Sequence, residues 1–188
     1  MTPLNVGLVI GSLRRESMSR RLAEALAPLA PADMTFQELA IGDLPVYNGD
    51  LEAALPPPWA RLREQVRASD AVLFVIPEYN RSVPGGVKNA IDVASKPTGQ
   101  NCWVGKPAFV MAQSTGPLGG LAGSFALKQT LAGAGAITLP HPEVYLGRVA
   151  TLFGPDGQLV PDTQEFLRGV LANFDTWIRR FPPRSSAS

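Results

Sequence analysis

The stretch Val72–Ser95, VLFVIPEYNRSVPGGVKNAIDVAS, decides the fold. Its apolar run stops at Pro77, and a polar, turn-rich segment follows. From about Gly86 onward Ala90, Ile91 and Ala94 recur at helical spacing. This pattern reads as a buried strand, a wide loop and a helix. In an open parallel α/β sheet, ligands sit beyond the carboxyl ends of the strands. A loop this elaborate at such a place is therefore a candidate binding site.

Outward from this unit the same alternation repeats. Strands are expected at Val6–Ile10, Thr35–Leu39, Ala71–Ile76, Pro107–Gln113 and Ala136–Leu139. Helices are expected at Ser19–Ala30, about Trp59–Ala68, Gly86–Ser95, Gly120–Ala134 and Asp162–Arg180. In the last of these, Phe166, Val170, Phe174, Trp177 and Ile178 form an apolar stripe. Such alternation implies a parallel sheet with helices on both faces. Five strands favour an α/β three-layer sandwich of order 2-1-3-4-5 over a six-stranded sheet. Residues 1–181 are read as one domain, and 182–188 as a frayed Pro/Ser-rich tail.

Bulk properties exclude several functions. The 188 residues carry 17 basic and 16 acidic side chains, a net charge of +1, so no polyanion-binding surface is indicated. Cys102 and His141 are single residues of their type, which leaves little for a metal site, a disulfide or a Ser-His-Asp triad. Val6–Ile10 is too short for a signal-peptide core, and no apolar run approaches a membrane span. A cytoplasmic protein is expected.

Three loops converge on one sheet edge. The first is Gly11-Ser12-Leu13-Arg14-Arg15-Glu16-Ser17-Met18-Ser19. It lacks both GxxxxGK[ST] and GxGxxG. It offers hydroxyls at Ser12, Ser17 and Ser19, the Arg14 guanidinium, and free amides at a helix N-terminus, a set suited to phosphate. The alternative is that Ser19 simply caps the helix and Arg14 is solvated. The second loop contains Pro77, Glu78, Tyr79, Asn80 and Arg81, followed by Pro84-Gly85-Gly86. It offers main-chain donors and a flat side chain to a planar ligand, or else forms a self-satisfied turn. The third, Gln113-Ser114-Thr115-Gly116-Pro117-Leu118-Gly119-Gly120, lets a ligand approach the backbone closely, or is an ordinary strand-to-helix turn. Taken together, a phosphate socket beside a planar slot suits a flavin mononucleotide.

These segments resemble the NADPH-dependent FMN reductase family, of flavodoxin-like fold, and within it the bacterial quinone, chromate and azo-dye reductases. The likeness rests on GSLRRESMS (11–19), DLPVYN (43–48), PEYNRSVPGGVKNAIDVAS (77–95) and QSTGPLGG (113–120), in that order. It implies non-covalent FMN, with NADPH or NADH as co-substrate. Ser12, Arg14, Ser17 and Ser19, with the backbone of Leu13, Arg14, Arg15, Glu16, Ser17 and Met18, would hold the phosphate. Pro77, Glu78, Tyr79, Asn80 and Arg81 would line the isoalloxazine, and Ser114, Thr115 and Gly116 would face its other side. Lys88, Asn89 and Asp92 would hold loop and helix in place. Val93 and Ser19 stand where relatives often carry Trp and Asn, and Lys128 where they can carry an intersubunit Arg. A homodimer or homotetramer is implied, with Asp43–Asn48 and Arg81 as candidates to wall a neighbour's flavin.

The implied activity is ping-pong hydride transfer from NAD(P)H through FMN to quinones or similar acceptors, with no catalytic side chain and no metal. The cofactor carries the chemistry. Glu78 reads either as a solvated or backbone-bonded carboxylate or as a charge that sets the flavin potential. The alternatives are a flavodoxin-type electron carrier and a non-catalytic FMN-binding protein. The neutral charge balance and Arg14 weigh against a carrier.

Overall fold

The computed structural model describes residues 2–181; the expected tail at 182–188 lies outside the described residues. A sheet of six strands forms the middle layer: β1 (Leu4–Ile10), β2 (Met34–Glu38), β3 (Ala71–Pro77), β4 (Pro107–Gln113), β5 (Ile137–Thr138) and β6 (Val144–Leu146). Its order is β2-β1-β3-β4-β5, all parallel, with β6 also beside β4. Five helices complete the layers: α1 (Met18–Leu26), α2 (Pro57–Ala68), α3 (Gly85–Ser95), α4 (Leu121–Gly133) and α5 (Pro161–Ile178).

Strand β3 shows why the sheet needs helices on both sides. Residues 71–76 are all buried. Side chains alternate across a strand. Leu73 and Val75 enter one core with α1 and α5, whereas Val72, Phe74 and Ile76 enter another with α2, α3 and α4. A strand buried on both faces carries a continuous apolar run rather than an alternating one.

Two expectations shift. The fifth strand position is split between β5 and β6, because Pro140-His141-Pro142 interrupts it and proline donates nothing to a ladder. β5 pairs with Pro107 and Ala108 at the start of β4, and β6 with Met111–Gln113 at its end. Helix α5 buries Leu167, Val170, Leu171, Phe174 and Ile178, leaving Phe166 exposed. Its apolar stripe is thus rotated slightly from the one expected, since Leu167 and Leu171 also fall on the inner face.

The far edge of the sheet holds two buried cations. The Lys106 ammonium donates to the Ser69 carbonyl at the end of α2 and, at 3.4 Å, to the Arg67 carbonyl. The Arg63 guanidinium donates to the carbonyls of Val93 (3.3 Å) and Gln100 (3.1 Å). Carbonyls left over at helix C-termini attract cations, which explains how these charges are accommodated.

Phe109 packs on Phe174 with ring centroids 5.5 Å apart, joining β4 to α5. Replacing Phe109 with Ala is expected to destabilise the fold by about 3–5 kcal/mol, read as a lower midpoint in urea denaturation.

Candidate functional site

The site follows from strand ends. Ile10 is level with Val75, and Pro77 is level with Gln113. The loops after β1, β3 and β4 therefore leave the sheet side by side. They enclose a cleft of about 200 Å³. The first loop contributes Ser12, Arg14, Glu16, Ser17 and Met18. The second contributes Pro77, Glu78 and Tyr79, and the third Gln113, Ser114 and Thr115.

In the first loop, Ser17 and not Ser19 caps α1: its Oγ accepts the Arg20 amide at 3.2 Å. That leaves the Ser17 hydroxyl proton free to donate. Ser19 lies behind the cleft, fully buried, where its Oγ accepts the Gln113 side-chain amide at 2.9 Å. This bond ties the first loop to the third and gives a side-chain role to Gln113, which the sequence reading has only as the first residue of the third loop. The amides of residues 12–16 donate to no acceptor among the described residues. Arg14 is exposed and makes no ion pair with any of them. Open amides at a helix N-terminus beside a free guanidinium fit a phosphate. Leu13 and Arg15 face away, into a second cavity.

The second loop is a tight hairpin. Tyr79 and Ser82 exchange backbone hydrogen bonds of 3.1 and 2.9 Å around Asn80 and Arg81, whose φ values are 50° and 63°. Two central residues with positive φ define a type I′ turn. Its tip projects Asn80 and Arg81 into solvent and keeps Pro77, Glu78 and Tyr79 at the cleft. The Tyr79 hydroxyl reaches Ser12 Oγ at 3.4 Å.

Glu78 docks this hairpin on α4. Its Oε2 accepts the Gly123 amide at 3.0 Å. No side chain caps that helix otherwise, because its N-cap residue is Gly120. A Cβ at Gly123 would lie 3.1 Å from Glu78 Cα and Cβ and from the Ser82 carbonyl oxygen. The hairpin and α4 thus approach to backbone contact, which only glycine permits.

The third loop is clamped by β6 and the turn after it. Ser114 donates to the Leu146 carbonyl (3.0 Å), Val149 to that of Ser114 (3.0 Å) and Arg148 to that of Gly116 (2.8 Å). A Cβ at Gly147 would stand 2.3 Å from the Pro117 carbonyl oxygen. Gly116 is not among the residues lining the cleft, and its carbonyl is taken by Arg148 and by the Ser114 hydroxyl at 2.9 Å.

The DLPVYN segment is fixed by α3 and α2. Asn89 Oδ1 accepts the Tyr47 amide at 2.8 Å, and its Nδ2 donates to the Pro45 carbonyl at 3.1 Å. Trp59 Nε1 donates to the same carbonyl at 2.9 Å, and Tyr47 stacks on Trp59. Lys88 and Asp92 form an i, i+4 pair at 2.7 Å on the exposed side of α3.

Strand order and the placement of the three loops define a flavodoxin-like α/β protein with a cleft at the carboxyl edge of its sheet. The sequence profile of the family described as NADPH-dependent FMN reductase matches residues 4–151. A quinone reductase from Pseudomonas putida is 48% identical over 93% of this chain and 95% of its own length. An NAD(P)H-dependent FMN reductase from Pseudomonas aeruginosa is 37% identical over 92% of this chain and 94% of its own. Among solved structures, the flavoenzyme FerB, an NAD(P)H:acceptor oxidoreductase from Paracoccus denitrificans, superposes with a TM-score of 0.89. It shares 42% identity and covers 94% of this chain and 98% of its own. The chain belongs to the NADPH-dependent FMN reductase family.

The Glu78–Gly123 contact is open to test. Gly123→Val and Glu78→Ala are expected to weaken FMN binding about tenfold, through loss of a charge-assisted bond or displacement of the hairpin. Glu78→Gln keeps an acceptor and is expected to bind within threefold of wild type. Quenching of flavin fluorescence on titration reads all three.

Proposed function

We propose that this protein is a cytoplasmic, FMN-dependent NAD(P)H oxidoreductase that delivers electrons to quinones or similar small acceptors. One observation carries the reading: three loops line one cleft that brings open amides and Arg14, which pairs with no described residue, together with Pro77–Tyr79 and Ser114–Thr115. The near-full-length likeness to a quinone reductase supports the acceptor class. FMN held in this cleft would supply the redox chemistry between the nicotinamide and the acceptor.

The chain's own residues bind and orient. The amides of residues 12–16, the Ser12 and Ser17 hydroxyls and the Arg14 guanidinium hold the phosphate. Pro77, Glu78 and Tyr79 wall one side of the ring, and Ser114 and Thr115 the other. Amides of the third loop, held in place by β6, would stabilise negative charge on the bound ring. No side chain is required to move a proton. Leu118, Leu121 and Phe125 leave an apolar strip exposed beside the cleft. We read that strip as a contact between two copies in a homodimer or dimer of dimers, which light scattering of the native protein tests.

Purified protein reconstituted with FMN is expected to bleach on addition of NADPH under anaerobic conditions and to regain colour with benzoquinone. A flavin that no nicotinamide bleaches would leave only an electron carrier or a binding protein. Arg14→Ala is expected to weaken FMN binding about tenfold to a hundredfold, the worth of a charge-assisted phosphate contact. Arg15→Ala is expected to change it less than threefold, because Arg15 faces the other cavity.

A further inference from the structure

A second cavity, larger than the flavin cleft at about 390 Å³, lies across the first loop between the ends of β1 and β2. Ser12 and Arg14 line both cavities, so residues 12–14 are the wall between them. The floor of this second cavity is apolar: Ile10, Leu39 and Ile41. Its rim carries three arginines and two carboxylates, and the pairing among them decides what it can bind.

Both carboxylates are already occupied. Arg20 grips Glu38 with two bonds of 2.7 and 2.9 Å. Arg61 grips Asp43 with two bonds of 2.6 and 2.9 Å. Each guanidinium holds its partner's carboxyl below the usual carboxylate range, chiefly through these hydrogen bonds. Arg14 and Arg15 are left, both exposed and with no ion pair to any described residue. With Arg14 turned to the phosphate of bound FMN, the cavity presents one uncompensated guanidinium, that of Arg15, above an apolar floor. A flat base with a phosphomonoester satisfies both, since such a phosphate carries roughly −1.5 to −2 charges at pH 7 and arginine pairs with it through two donors.

The geometry points to this cavity as the subsite for the adenosine 2′-phosphate of NADPH, with Arg15 as the residue that selects NADPH over NADH. The inference rests on the oxidoreductase reading proposed above. A dinucleotide is two mononucleotides joined through a pyrophosphate, so a nicotinamide end in the flavin cleft delivers its adenosine end across the 12–14 wall. Glu38 has the position, at the end of the second strand, from which an acidic residue in dinucleotide-binding sheets accepts a ribose 2′-hydroxyl. Here Arg20 neutralises it, which removes the repulsion a 2′-phosphate would otherwise meet.

The test uses the FMN-loaded protein. Calorimetric titration with 2′,5′-ADP is expected to give binding at least tenfold tighter than 5′-AMP, and Arg15→Ala is expected to abolish the difference. In steady-state kinetics Arg15→Ala is expected to lower the NADPH/NADH ratio of kcat/KM at least tenfold. Arg20→Ala, which releases the Glu38 carboxylate, is expected to lower the same ratio. Equal binding of 2′,5′-ADP and 5′-AMP, or a ratio unmoved in both variants, would overturn the assignment. Binding of inorganic phosphate as tight as that of 2′,5′-ADP would also overturn it, since the apolar floor would then contribute nothing. Failure of wild-type flavin to bleach with either nicotinamide would count against the oxidoreductase reading instead, and the calorimetry would still judge the subsite.

Discussion

Ile10 pairs level with Val75, and Pro77 level with Gln113, so three neighbouring parallel strands stop at nearly the same height. Everything at the cleft depends on that register. A parallel sheet sends every strand's carboxyl end to one edge, and the three central strands here are buried and rigid. Loops leaving such strands start from fixed points. A slip of one residue in β3 would turn Pro77 and Glu78 to opposite faces and dismantle both cores at once.

Rigid starting points do not by themselves shape the loops. Each loop is held by ties to another part of the fold. The first is tied to the end of β4 through Ser19 and Gln113. The hairpin is tied to α4 through Glu78 and the Gly123 amide. The third loop is tied to β6 and the turn after it. These ties satisfy buried or half-buried polar groups that would otherwise be costly to leave unpaired. At the opposite edge Arg63 and Lys106 serve the helix C-termini in the same way. Each end of the sandwich thus carries polar side chains matched to the helix ends that meet there.

The pairing of charges separates two neighbouring cavities. In the cleft between the three loops Arg14 stands without a carboxylate partner among the described residues. Across the same loop, Arg20 and Arg61 take up Glu38 and Asp43, leaving the positive charge to Arg14 and Arg15. Composition shows none of this, because a net charge of +1 is close to neutral. Local electrostatics arise from which cation reaches which anion, and Arg20 at the start of α1 reaches Glu38 at the end of β2, the strand that pairs with β1.

The alternation of short apolar runs with helical patterns determined the layer order, since a strand buried on both faces and an amphipathic helix each admit one solution in an open parallel sheet. The three loops were legible for the same reason: glycines, prolines and hydroxyls cluster where the chain must turn and present donors. Three features were decided by the tertiary structure alone. Ser17 rather than Ser19 caps α1, because Ser19 is drawn into the interior by Gln113, 94 residues away. Asn80 and Arg81 point outward, because Tyr79 and Ser82 pair around them in a turn of positive φ. The strand after β5 is broken and resumes as β6, where it clamps the third loop. Local pattern reports the state of a segment. Which face of a loop meets a ligand depends on partners distant in sequence, and these meet only once the sheet has formed.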